Sequence, residues 1–250
     1  PLMATDAAGV CSIVLQVWCH AALRERTARP QLSLRALLAC WPPLLLTPAL
    51  ARWCVWQAAR GLGHLHALGL YHGSLWPSNV MLRADRGNVE VELSDYGRSK
   101  KLVDMILRQE AAKTDGRAEV RGEVGATYTA TLAAISSAAS DSLRRPYAAP
   151  EMLNIDASPI KHISWDRHVD VYALGCLLAR LASSCPLYTG ELEAHKTWPK
   201  VYEALAAEEV KPTAAAERAA AADPRLPTAL VDLAVRCVAL DKRVRPKMYK

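Results

Sequence analysis

Between Arg167 and Ser183 the chain carries Val169, Val171, Tyr172, Leu174, Cys176, Leu177, Leu178 and Leu181 with few polar interruptions. Helical spacing puts these side chains on almost every side of a helix, and such a helix must be packed all round. A mainly helical domain built around this segment is therefore expected. The 250 residues suffice for one domain with a real core, and 51% hydrophobic against 22% charged is a globular balance. Phenylalanine is absent, so aromatic packing falls to Trp and Tyr.

The rest of the chain divides around that centre. Val10–Trp18 is a nearly continuous apolar run after Gly9, which suits a strand buried on both faces. Ala36–Ala51 is apolar but shorter than the roughly 20 residues of a membrane span. Pro42, Pro43 and Pro48 interrupt it, and it reads as a loop leading into a helix. That helix opens at Thr47-Pro48 and keeps Leu50, Trp53, Cys54, Ala58, Leu62 and Leu65 in helical spacing until Gly69 stops it. Val80–Leu82 and Val89–Leu93 read as strands, with Asp85-Arg86-Gly87-Asn88 as a hairpin turn. Residues 110–142, rich in Ala, Ser, Thr and Gly, read as a long mobile loop. Trp198–Val210 is expected to be an amphipathic helix, Ala214–Ala222 a helix or linker, and Leu230–Leu240 a last helix.

The net charge of +6 comes from scattered residues, so a generic solvated surface is favoured over a nucleic-acid patch. The seven cysteines form no CxxC pair and read as reduced core thiols. No secretory signal is visible, and a cytoplasmic or otherwise intracellular location is expected.

Gly61 to Asn79 reads GLGHLHALGLYHGSLWPSN. Ser94-Asp95-Tyr96-Gly97 follows after the predicted hairpin. Ala149-Pro150-Glu151, then Asp170-Val171-Tyr172-Ala173-Leu174-Gly175, and finally Arg245-Pro246 complete the order. In that order these segments resemble the catalytic loop, DFG motif, APE motif and central helix of eukaryotic protein kinases, of the serine/threonine or tyrosine-kinase-like groups. The resemblance covers about residue 10 to the end of the sequence. It implies an α+β fold: a protein kinase-like C-terminal lobe, mainly α-helical, with a short β-hairpin and a hinge strand. Residues 1–20 would form the end of the small-lobe sheet and the hinge. Residues 21–250 would form the large lobe, with a long activation-segment insertion at about 98–148. No glycine-rich loop precedes Val10, so an N-lobe is expected to be largely absent from this chain.

The resemblance keeps architecture and loses chemistry. His72 is kept, but the arginine of HRD is Gly73, the aspartate is Ser74 and the lysine two further on is Trp76. In the family the aspartate takes the substrate hydroxyl's proton and the lysine steadies the transferred phosphate. Serine has no accessible pKa for that work, and losing a positioned base costs about 10²–10⁴ in rate. Gly73 also removes the cation that can couple activation-loop phosphorylation to the catalytic loop. By the same resemblance His72 packs on the DFG aromatic (here Tyr96, before Gly97), Asp170 holds the catalytic-loop backbone, and Glu151 pairs with Arg245. Leu15, Gln16, Val17 and Met81, with Asn79 and Asp95, match the nucleotide side of the cleft. Asn79 and Asp95 correspond to the magnesium ligands; the alternative is that Asn79 caps the loop and Asp95 bonds nearby backbone.

The favoured expectation is a pseudokinase serving as a protein-interaction or regulatory module. The alternatives are a divergent kinase using ATP and Mg, or a purely structural subunit. No cofactor is certain, and the expected partners are proteins rather than nucleic acid or a membrane. A Ser–His–Asp triad of Ser74, His72 and Asp95 is disfavoured, because no nucleophile elbow surrounds them. His64 and His66 do not share a helix face, so a metal site there is not expected. His168 reads as a surface histidine, as does His162. Ser136, Ser137, Ser140, Ser142, Thr127, Thr129 and Thr131 make the insertion a phosphorylation candidate, against a merely Ser-rich insertion, which is favoured. Arg144-Arg145 read as a solvated loop rather than a phosphate grip. Trp53 and Trp56 are expected in the core, and Trp76 as a plug on the substrate side of the cleft.

Overall fold

The computed structural model describes residues 31–40, 48–85, 88–95, 144–153, 166–183, 186–221 and 227–248. The expected strand at 10–18, with Leu15, Gln16 and Val17, lies outside the described residues, as do Tyr96, Gly97, the loop at 110–142 and His162. In chain order the described elements are β1 (Gln31–Ser33), α1 (Leu34–Cys40), α2 (Pro48–Ala67), β2 (Val80–Asp85) and β3 (Asn88–Leu93). They continue with α3 (Pro150–Leu153), α4 (His168–Ala182), α5 (Thr189–His195), α6 (Trp198–Ala206), α7 (Pro212–Ala221) and α8 (Thr228–Cys237). Three short 3₁₀ turns, Pro77–Asn79, Arg145–Tyr147 and Lys242–Val244, lie between them.

Helix α4 is the centre of the packing. Every residue from Val169 to Ala182 except Arg180 is buried. Its apolar surface serves two cores. Ala173, Leu174, Leu177, Leu178 and Leu181 pack with α1, α2 and the β-hairpin. Val169, Tyr172, Cys176 and Ala179 pack with Trp76, Tyr147, Met152 and the helices α6 and α7. This two-sided demand explains why the sequence is apolar all round there. Gly175 allows α8 to come close: a Cβ at that position would lie 2.6 Å from Cys237 Cβ and 2.8 Å from Val238 Cγ1. Cys54, Cys176 and Cys237 are buried and form no disulfide. Burial pushes the Cys237 thiol up to about 12 and raises Cys176 as well, so both are poor nucleophiles.

Helix α2 ends in a Schellman motif. Gly69 has φ +72°, its N–H donates to His66 O at 3.0 Å, and Leu70 N–H donates to Leu65 O at 2.9 Å. Strands β2 and β3 pair antiparallel from Val80↔Leu93 to Asp85↔Asn88, with two residues of sequence between their paired ends. Strand β1 adds to the other edge of β2, with Ser33 opposite Met81.

Several expectations need correction. Residues 34–40 form helix α1 rather than loop, started by Ser33, whose Oγ accepts from Ala36 N at 3.2 Å; the prolines that suggested a loop come only afterwards. Helix α6 stops at Ala206, short of Val210, and α8 ends at Cys237 rather than Leu240. Trp53 and Trp56 are 43% and 46% exposed. They lie on the flank of the Leu50–Cys54–Ala58–Leu62 stripe, and Ala51 and Val55 complete the buried face instead. His168 is half-buried and bonds Asp166 from both its backbone N–H and Nδ1, at 2.9 and 2.8 Å.

Candidate functional site: a carboxylate-tethered loop before the central helix

Asp170 sits in the first turn of α4, where the helix dipole favours a carboxylate. It is 1% exposed. Its Oδ2 accepts from His72 N at 2.7 Å and its Oδ1 from Gly73 N at 2.7 Å. His66 Nε2, from the end of α2, contacts Oδ2 at 2.9 Å. One carboxylate thus ties the helix before the loop to the loop itself. His66 is the site residue that sequence reasoning missed. Its spacing from His64 was weighed only for metal binding; its partner lies 104 residues away.

Gly73 has φ +72°, a region that favours glycine. His72 is fully buried, and burial pulls its imidazole pKa below the ordinary value against the opposing charges of Asp170 and Asp95. Its Nδ1 accepts from the backbone N–H of Ser74 at 3.2 Å.

Asn79 is buried and closes the loop. Its Nδ2 donates to Ser74 O at 2.7 Å and lies 3.3 Å from Ser74 Oγ and 3.4 Å from Asp95 Oδ2. Asp95 is exposed and has φ +63°, a left-handed conformation that Asp tolerates better than most residues. Asn79 and Asp95 therefore lie together, with the Asn79 amide capping the loop through Ser74 O. Met81 is half-buried on β2, paired with Glu92. Among the described residues no group of three or more His, Cys, Asp or Glu side chains could hold a metal.

Trp76 is 6% exposed and belongs to the second core. The Arg144 guanidinium lies 4.7 Å from its ring centroid and that of Arg35 lies 5.8 Å away. Arg144 is half-buried, so the reading of this residue as part of a solvated loop is corrected: the indole gives its cation a π face to pack on. The indole Nε1 is buried without a hydrogen-bond partner.

Farther from the loop, Arg245 is 2% exposed and meets Glu151 in a two-pronged pair, Nη1 to Oε1 at 2.6 Å and Nη2 to Oε2 at 3.0 Å. Its remaining donors reach Ala239 O at 2.8 Å, His168 O at 3.0 Å and Leu240 O at 3.3 Å. This arginine joins α3, the start of α4 and the segment after α8.

The chain is similar to protein kinases. A mitogen-activated protein kinase of Aspergillus fumigatus is 28% identical over 142 residues, 57% of this chain and 30% of that protein. The mitogen-activated protein kinase pmk-2 of Caenorhabditis elegans is 30% identical over 137 residues, 55% of this chain and 27% of its own. Cyclin-dependent kinase-like 2 of Mus musculus is 25% identical over 211 residues, covering 77% of this chain and 30% of that protein. The chain spans less than a third of the length of these curated relatives. No family model matches it. Kinase relatives over half the chain or more, and a helix-rich body with a small three-stranded sheet, support an α+β fold like the large lobe of a protein kinase. No described helix is long and apolar enough to cross a membrane.

Proposed function

We propose that this chain is the large lobe of a pseudokinase, a protein-interaction or regulatory module that does not transfer phosphate. The observation that carries the reading is the tethered loop itself. Its backbone is held in place through Asp170, yet it presents Ser74 where the kinase relatives' aspartate would stand and Trp76 where their lysine would stand. A neutral hydroxyl cannot take the acceptor alcohol's proton at neutral pH, and an indole cannot neutralise a transferring phosphoryl group. The burial of Trp76 beside Arg144 supports the same reading, because a buried, uncharged indole stands where the relatives' lysine would offer its cation. Partners would be proteins docking on the helical lobe or on the segment at 98–148.

One observation favours a second reading, a divergent ATP-dependent kinase. Asn79 Nδ2 lies 3.4 Å from the exposed Asp95 carboxylate, and a carboxylate with an amide oxygen on the neighbouring residue is a donor set that suits a hard cation that also takes nucleotide phosphates as ligands. Bound there, magnesium would supply charge neutralisation of the phosphates. Asn79 would keep its own geometry through Ser74 O, leaving its amide oxygen and the Asp95 carboxylate for the ion.

Phosphotransfer to a generic protein substrate, measured with ATP and Mg²⁺ on the natural full-length protein, separates the two readings. Thermal unfolding is followed in the same mixture. Background phosphate incorporation is expected, whether or not the nucleotide raises Tm. Incorporation that Asp95→Ala abolishes would overturn the pseudokinase reading.

A further inference from the structure

Helix α2 turns an unusual face to solvent. Trp53 and Trp56 are nearly half exposed, and their rings stack with centroids 4.9 Å apart and planes at 27°. Arg60, one turn further on, places its guanidinium 4.9 Å from the Trp56 centroid. Arg52 and His64 are exposed and share this face by helical spacing. The helix holds no Asp or Glu anywhere in its 20 residues. Solvent-exposed tryptophans cost hydrophobic free energy unless something covers them, and Trp and Arg together are the commonest anchors of protein interfaces.

The face is also rigid. Trp53 Nε1 donates to Val89 O at 2.6 Å, and Gln57 bonds β3 twice, Nε2 to Val89 O at 2.9 Å and Val91 N to Oε1 at 3.1 Å. The side chains of α2 thereby occupy backbone groups on the outer edge of β3, so a partner strand cannot simply extend the sheet there. The strand carboxylates Glu90 and Glu92 pair with Arg83 of β2.

We propose that this face docks an acidic segment of a partner protein, one that sets an apolar side chain against the indoles and carboxylates against Arg52 and Arg60. The inference deepens the interaction-module reading and rests on it. Charge complementarity selects the class of partner: a helix face with cations, aromatics and no carboxylate of its own attracts anionic chains and repels basic ones. Nucleic acid fits less well, because Trp56 lies along the helix between Trp53 and Arg60. That leaves little free ring face for bases, whereas single-strand binders offer several.

The test uses the whole chain and a fluorescein-labelled peptide repeating Glu-Glu-Leu, read by anisotropy. A Lys-Lys-Leu repeat, oligothymidine and phosphatidylserine vesicles serve as competitors. Saturable binding of the acidic peptide alone is expected, weakened about tenfold or more by Trp56→Ser and by Arg60→Glu. Both side chains are exposed, so an unchanged Tm shows that the fold is intact; Arg52→Glu is the second charge variant. Arg60→Glu is further expected to raise affinity for the Lys-Lys-Leu peptide. Equal binding of both peptides, stronger binding of oligothymidine or vesicles, or variants that bind as the parent does would overturn the proposal. A phosphotransfer assay on the same preparation keeps the outcomes apart. Phosphate incorporation would sink the non-catalytic reading, and loss of peptide binding alone would sink only this surface.

Discussion

Replacing Asp170 by Asn tests whether one carboxylate is the tether of the degenerate loop. The substitution keeps the volume and removes the charge. One oxygen can still accept from His72 N or Gly73 N, but the new amide nitrogen then faces the other backbone N–H as a donor. Each bond to a charged acceptor contributes about 1.5–3 kcal/mol, and a buried donor left alone costs about 1–3 kcal/mol. At least one such donor is stranded, and the His66 contact is weakened as well, so a loss of about 2–4 kcal/mol is expected. Against a total of roughly 5–15 kcal/mol this is large. It corresponds to a Tm lower by about 2–4 °C for each kcal/mol in a chain of this size. Urea unfolding gives the global figure, and amide hydrogen exchange at His72 and Gly73 gives the local one. His66→Leu and the double variant complete a cycle whose coupling is expected at roughly 0.5–3 kcal/mol. A stability within about 0.5 kcal/mol of the parent, with exchange at both amides unchanged, would refute the tether.

Three further outcomes follow from the same structure. Glu151→Ala leaves the buried Arg245 guanidinium without its carboxylate and is expected to destabilise by about 3–5 kcal/mol in urea unfolding. Arg245→Lys should not preserve stability, because an ammonium cannot make both Glu151 contacts and reach Ala239, His168 and Leu240 as well. The folded-state pKa of His72 lies below its unfolded value of about 6.5, so the unfolded chain binds the extra proton first. The stabilisation is whole above that value and declines as the pH falls through and below it. A parent Tm that drops more steeply on acidification than that of His72→Leu is the expected result; parallel profiles would remove His72 as the cause.

The sequence by itself determined the elements whose signals are local. The all-round apolar run became α4, Gly69 became the helix stop, the alternation at 89–93 became β3, and the order of the motifs pointed to kinase-like proteins. The substitutions Gly73, Ser74 and Trp76 are likewise legible without coordinates. What only the tertiary structure decided are matters of facing and partnership across long separations. Helical spacing alone did not place Trp53 and Trp56 outside the core, because a residue on the flank of a stripe is buried or exposed according to what packs beside it. His66 and Asp170 are far apart along the chain and become neighbours only when α2 lies against α4. The same holds for Arg144 and Trp76, which read separately as a solvated-loop cation and a plug of the cleft and which only packing brings together.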